Sequence, residues 1–176
     1  RAGDFISVQD LLKEVNKDSI RFMMLNRSND VELDFDFDKV KEKTKDNPVY
    51  YVQYAYARIN SILRTINMTL DDKIRVNQET YSPNKYEEKI LRKVFEWPKI
   101  IESASFKLEP HKIPFYLYEL STLFHSYWSK GNENEKYKFI ENQKIKRNEI
   151  FAIINLVAIV IQNGMSILGV SLPEKM

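Results

Sequence analysis

The sequence predicts an all-α protein, a helical bundle preceded by a small segment that contains a short extended stretch. Three observations predict it. Apolar residues recur at alternating three- and four-residue spacing along most of residues 48–168, the period of a helix with one covered face. Glycine occurs only four times in 176 residues, and the clearest polar loops are Asn77–Asn84 and Ser129–Glu135. No unit of roughly 20–50 residues repeats, which selects a bundle over a solenoid.

Along the chain, Ser7–Ser28 opens on a Ser or Asp able to cap a helix, continues with apolar residues at helical spacing and stops near Asn26–Asp30. Val31–Asp38, "VELDFDFD", then alternates strictly between apolar and acidic residues and reads as an extended segment with one covered face. Polar residues follow up to Pro48, which suits the first turn of a helix. Helices are predicted near 48–67, 84–105, 111–129 and 146–168. Pro98 should break or kink the second, and Pro110 and Pro114 should set the start of the third. The apolar run Ile150–Ile161 is shorter than the roughly 18 residues of a membrane span, so it reads as a buried helix, and no membrane partner is expected.

Composition bounds the class. A hydrophobic content of 43% beside 30% charged residues excludes a disordered chain. The absence of cysteine excludes disulfides and thiolate metal sites. With no secretory signal at its start, the chain is expected to be cytoplasmic, monomeric and cut from something longer. Charge divides it at residue 46: residues 1–46 carry nine Lys/Arg against eleven Asp/Glu, and residues 47–176 carry eighteen against fourteen. The larger part is mildly basic, which permits contact with phosphates without requiring it.

The helix at 48–67 has two faces. Val49, Val52, Tyr56, Ile59, Leu63 and Ile66 follow the spacing of a buried stripe, which assigns Tyr56 to the core. Tyr50, Tyr54, Arg58, Ser61 and Thr65 fall on roughly the opposite side. A second helix covering them is one explanation. The other is a platform for unstacked bases, since aromatic rings beside a guanidinium are what single-stranded RNA stacks on. Periodicity leaves both open.

Four segments carry a resemblance: Arg1–Leu25, Leu33–Leu63, Leu117–Trp128 ("LYELSTLFHSYW") and Asn163–Met176 ("NGMSILGVSLPEKM"). Together they resemble the C-terminal part of bacterial-type arginyl-tRNA synthetases across nearly the whole chain, most weakly at Ile66–Asn84 and Gly131–Lys144. In that family the segment beginning "RAG" directly follows the Lys-Met-Ser-Lys-type loop that holds ATP. The resemblance therefore implies a stem-contact segment at residues 1–46 and a helical anticodon-binding domain at 47–176. "DSIR" (Asp18–Arg21) is similar to the Asp-Ala-Leu-Arg signature for which such domains are named. The parent enzyme would join arginine to its tRNA using ATP and Mg. This chain, without the ATP- and arginine-binding signatures, would hold no cofactor and no catalytic residue.

Every arginine codon has G in the middle, so every arginine anticodon has C there. A splayed cytosine needs a stacking surface, donors for its ring acceptors and an acceptor for its amino group. The family's pocket for that base maps onto Tyr54 and Arg58 of "YAYAR", Trp128 and Met176, with Tyr56 standing where the family usually has His. Bacterial members vary at the position of Trp128. "PEKM" matches the family's closing pattern, which implies that Met176 ends the protein. The expected partners are arginine tRNA and the catalytic domain of the same protein.

Other residues carry less. Asp34, Asp36 and Asp38 begin like a calcium loop, but Lys39 and Lys45 stand where an EF-hand needs Gly and Glu. His111 and His125 lack any zinc-ligand spacing, and His125 either shapes the pocket or serves as a structural hydrogen-bonding group. The strip Lys136–Arg147, with Lys136, Lys138, Lys144, Lys146 and Arg147, is either a track for tRNA phosphates or a solvated helix face. A functional alternative from another class is a protein-interaction domain anchored by Tyr50, Tyr54 and Trp128.

Overall fold

The computed structural model describes residues 8–28, 30–31, 42, 44, 46–77 and 79–176. The extended stretch expected over Val31–Asp38, with Asp34, Asp36 and Asp38, lies outside them except for Val31, and so do residues 1–7. The described residues form the helices α1 (Val8–Glu14), α2 (Lys17–Leu25), α3 (Pro48–Thr65), α4 (Lys85–Phe106) and α5 (Lys112–Glu133). A 3-10 turn at Glu135–Tyr137, a hairpin of β1 (Ile140–Glu141) and β2 (Lys144–Ile145), and α6 (Asn148–Leu168) follow.

The single helix expected over 7–28 is two. Asn16 is extended, and its side chain accepts the amide N–H of Asp18 at 3.0 Å, capping α2. A short polar side chain competes with the helical ladder in this way, and the resulting bend lets Val15 and Ile20 bury against Leu11 and Met23. α3 starts where Pro48 suggested, with the Asn47 side chain accepting from the Tyr50 amide at 3.4 Å. α4 starts on a reciprocal capping box of Asn84 and Glu87. Pro98 does not break it. Pro98 is exposed, so its missing donor is lost on the solvent side while the opposite face stays packed on α5.

α5 lies at the centre, against α3, α4 and α6, and α2 is laid across α3 and α6. Tyr116, Leu117, Leu120, Phe124 and Tyr127 of α5 are all within 1% of full burial. α6 is long and apolar enough to cross a membrane by length and composition, yet its Ile150, Ile154, Val157 and Ile161 are buried within the bundle. The four predicted helices lie where the sequence placed them, with ends shifted by a few residues.

The strip at 136–147 is not a helix face. Gly131 permits α5 to turn back sharply, because a Cβ there would sit 2.7 Å from the Tyr137 carbonyl oxygen. The hairpin then closes through Asn142 and Gln143 at φ 50° and 60°, the left-handed pair of a type I′ turn.

A buried carboxylate fastens this end of the bundle. Glu87, with no exposed surface, accepts from the Tyr127 hydroxyl at 2.6 Å, the Asn84 amide at 3.0 Å and the Tyr81 hydroxyl at 3.3 Å, and it pairs with the Arg147 guanidinium. Burial first, and then the charge of Glu87, push the Tyr81 phenol up to about 12, and burial followed by its hydrogen bond to Glu87 raises that of Tyr127.

Candidate nucleic-acid interface

The two faces of α3 separate as their spacing required. Tyr56 is buried, with Gln162 of α6 donating to its hydroxyl at 2.7 Å. Tyr54 and Arg58 are half-buried, one helical turn apart, on the side facing α5. Arg58 donates to the Tyr54 hydroxyl, and its guanidinium carbon stands 4.4 Å from the centre of the Tyr54 ring and 5.6 Å from that of Trp128. Tyr54 also stacks on Tyr50 at 5.9 Å and on His125 at 5.5 Å.

Trp128 comes from α5, held edge-to-face on the buried Phe139 at 5.4 Å. Met176 arrives from the other end of the chain, after segment 169–176 has crossed α3: Gln53 donates to the Ser171 carbonyl at 2.9 Å and Arg64 to the Glu174 carbonyl at 3.1 Å. Tyr54, Arg58, Trp128 and Met176 therefore line one open concavity of about 620 Å³. Ser61 and Thr65 of α3, Ile140 of β1 and Lys175 share its wall.

His125 sets the orientation of the guanidinium. Burial, with Arg58 adding to it against the opposing pull of the Tyr51 carbonyl, lowers its pKa to about 4, so the ring is neutral near pH 7. A carbonyl only accepts, so Nε2 carries the proton toward Tyr51 at 3.3 Å and Nδ1 accepts from Arg58 at 3.2 Å. Both roles considered for His125 are thus one role: its structural hydrogen bonds shape the concavity. A guanidinium has five N–H donors. Tyr54 and His125 take two, and donors of this kind are what the ring acceptors of a pyrimidine require.

The basic strip is divided. Ile140 brings the hairpin to the rim, and Lys136, Lys138 and Lys144 are exposed. Lys146 donates to the Glu135 carbonyl at 3.3 Å, and Arg147 turns inward onto Glu87. Arg147 is thereby committed to holding the bundle, a placement that depends on a carboxylate sixty residues earlier and was invisible in the local charge pattern. Tyr50 lies beside the site and not in it, lining a neighbouring concavity that also touches Met176. The contributions of Ile140, Gln53 and Arg64 left no local signal, because they depend on where the hairpin and the closing segment land.

Residues 52–176 match the family model for the DALR anticodon binding domain. The chain belongs to that family. The whole of this DALR chain aligns with arginine–tRNA ligase of Pelagibacter ubique at 53% identity over 176 residues, and with that of Ruegeria pomeroyi at 42% over 181. It spans only 30% and 31% of their lengths. Its fold superposes over its full length on 37% of a provisionally assigned arginyl-tRNA synthetase of Campylobacter jejuni, with a TM-score of 0.82 and 28% identity. Over 98% of its length it also matches 28% of the Thermus thermophilus arginyl-tRNA synthetase, with a TM-score of 0.70 at 21% identity, a likeness of fold alone. The resemblance read from the sequence and the all-α bundle are both borne out.

Proposed function

We propose that this DALR chain binds the anticodon arm of arginine tRNA and accepts the middle cytosine between Tyr54, Trp128 and Met176. Arg58 would donate to the ring acceptors, and the Ser61 and Thr65 hydroxyls would accept from the amino group. The observation that supports this most directly is the convergence of those four side chains on one open concavity with a pre-oriented guanidinium. Lys136, Lys138 and Lys144, exposed on the turn and hairpin that bring Ile140 to it, are suited to the phosphates of the stem, adding salt-sensitive affinity without base choice. Residues 1–46 are assigned to the tRNA stem.

The relatives carry about 70% of their length outside this span. We assign to that part the ATP- and Mg-dependent arginylation. Among the described residues no three His, Asp or Glu gather as a metal site.

The test is titration of the chain with an arginine anticodon stem-loop and with the same hairpin altered at the middle base, at two salt concentrations. Preference for cytosine that persists at both salts supports the reading. Equal affinity for the two hairpins removes base recognition, and binding to neither favours a protein partner for the aromatic surface.

A further inference from the structure

Asp18 and Arg21, the charged residues of the Asp-Ser-Ile-Arg stretch in α2, point at the far end of the chain. Asp18 accepts from the amide of Ser171 at 3.1 Å and from its hydroxyl. Arg21 donates to the carbonyl of Leu168, the last residue of α6. Gly169 makes room for it: a Cβ at that position would lie 2.9 Å from Arg21 Nε, and its φ of 65° closes α6 with the Gly169 amide on Ser166 and the Val170 amide on Met165, both at 3.0 Å.

Beyond Gly169 the chain has no helix or strand of its own, and Ser171 and Glu174–Met176 are exposed. Ordering such a segment costs backbone freedom at every residue, so it needs anchors. Its anchors are the buried Val170, the half-buried Leu172 and Pro173, and three polar ties, from Asp18 of α2 and from Gln53 and Arg64 of α3, while Arg21 of α2 holds the end of α6 from which the segment leaves.

We propose that these four side chains are positioning residues of the RNA site. Arg21 fixes where the segment leaves α6, and Asp18, Gln53 and Arg64 strap residues 169–176 across α2 and α3, so that together they fix Met176 at the concavity that Tyr54, Arg58 and Trp128 line. The Asp-Ser-Ile-Arg stretch thus acts on base recognition from outside the pocket and touches no base. The inference rests on the reading of that concavity as the cytosine site.

The experiment uses the 176-residue chain with methyl-labelled methionine, which reports Met176 beside Met165, a buried methionine of the core. In Asp18→Ala the Met176 methyl resonance should move to the position of a free methionine while that of Met165 stays. Affinity for the cognate hairpin should fall about three- to tenfold, the scale of one net hydrogen bond. Because Asp18 acts through Met176, Asp18→Ala should cost no further affinity in a Met176→Ala background.

An unmoved Met176 signal, or the same loss of affinity in both backgrounds, overturns the proposal. Should Asp18→Ala disturb Met165 as well, Gln53→Ala makes the same test from α3 with α2 intact. If Tyr54→Ala and Met176→Ala both leave affinity unchanged, the cytosine reading fails, and the methyl signal still judges the strap.

Discussion

Acid should loosen this bundle through His125. In the folded chain the imidazole is neutral, with Nε2–H on the Tyr51 carbonyl and Nδ1 accepting from Arg58. Protonation places an N–H donor against the guanidinium in a buried site. Its pKa falls from an ordinary 6.5 to about 4, chiefly by burial. Between those values the unfolded chain binds more protons than the folded one, so stability is full above pH 6.5 and declines as pH falls toward 4. At about 1.4 kcal/mol per unit, the loss totals roughly 3 kcal/mol.

The assay is urea unfolding from pH 7.5 to 4, on the wild type and on His125→Gln, whose neutral amide can donate to Tyr51 and accept from Arg58. Carboxylates titrate in both proteins, so the difference between them isolates the imidazole. That difference should be constant above pH 7 and shift against the wild type by about 3 kcal/mol at pH 4. A flat difference would refute the neutral imidazole and with it the orientation argument for Arg58.

Other expectations follow from the same contacts. Tyr54→Ala should weaken cognate-hairpin binding by about 1–3 kcal/mol in a titration with the fold intact, and lower stability through its lost stacking on Tyr50 and His125; Trp128→Ala should match it in binding and also lower stability, since its ring packs on Phe139. Normal binding by either variant removes that residue from the pocket. Arg147→Met leaves the Glu87 carboxylate buried without its cation, and denaturant unfolding should register a loss of about 3–5 kcal/mol, against under 1 if the pair is dispensable. Gly131→Ala, favourable by about 1 kcal/mol for an exposed helical site, should instead cost about 1–3 kcal/mol, because the added carbon meets the Tyr137 carbonyl. A stabilised variant would contradict the observed turn.

What the sequence determined by itself is what depends on near neighbours. The spacing of Val49, Val52, Tyr56, Ile59 and Leu63 sends Tyr56 inward and leaves Tyr54 with Arg58 on another side, because a helix turns about 100° per residue whatever surrounds it. Pro48 and the residues before it mark where α3 begins, and the nearly apolar run of twelve residues at 150–161 marks a buried helix, since caps and stripes act within a turn or two. Tertiary structure decided the rest. Arg147 went to Glu87 and not to the surface, the path past Gly131 became a hairpin, and α4 ran through Pro98 because packing on α5 outweighed a local preference. Whether Met176 would reach Tyr54 depended on ties from Asp18, Gln53 and Arg64, formed between residues more than a hundred positions apart. Contacts at that separation follow from how whole helices pack, and no periodicity along the chain encodes them.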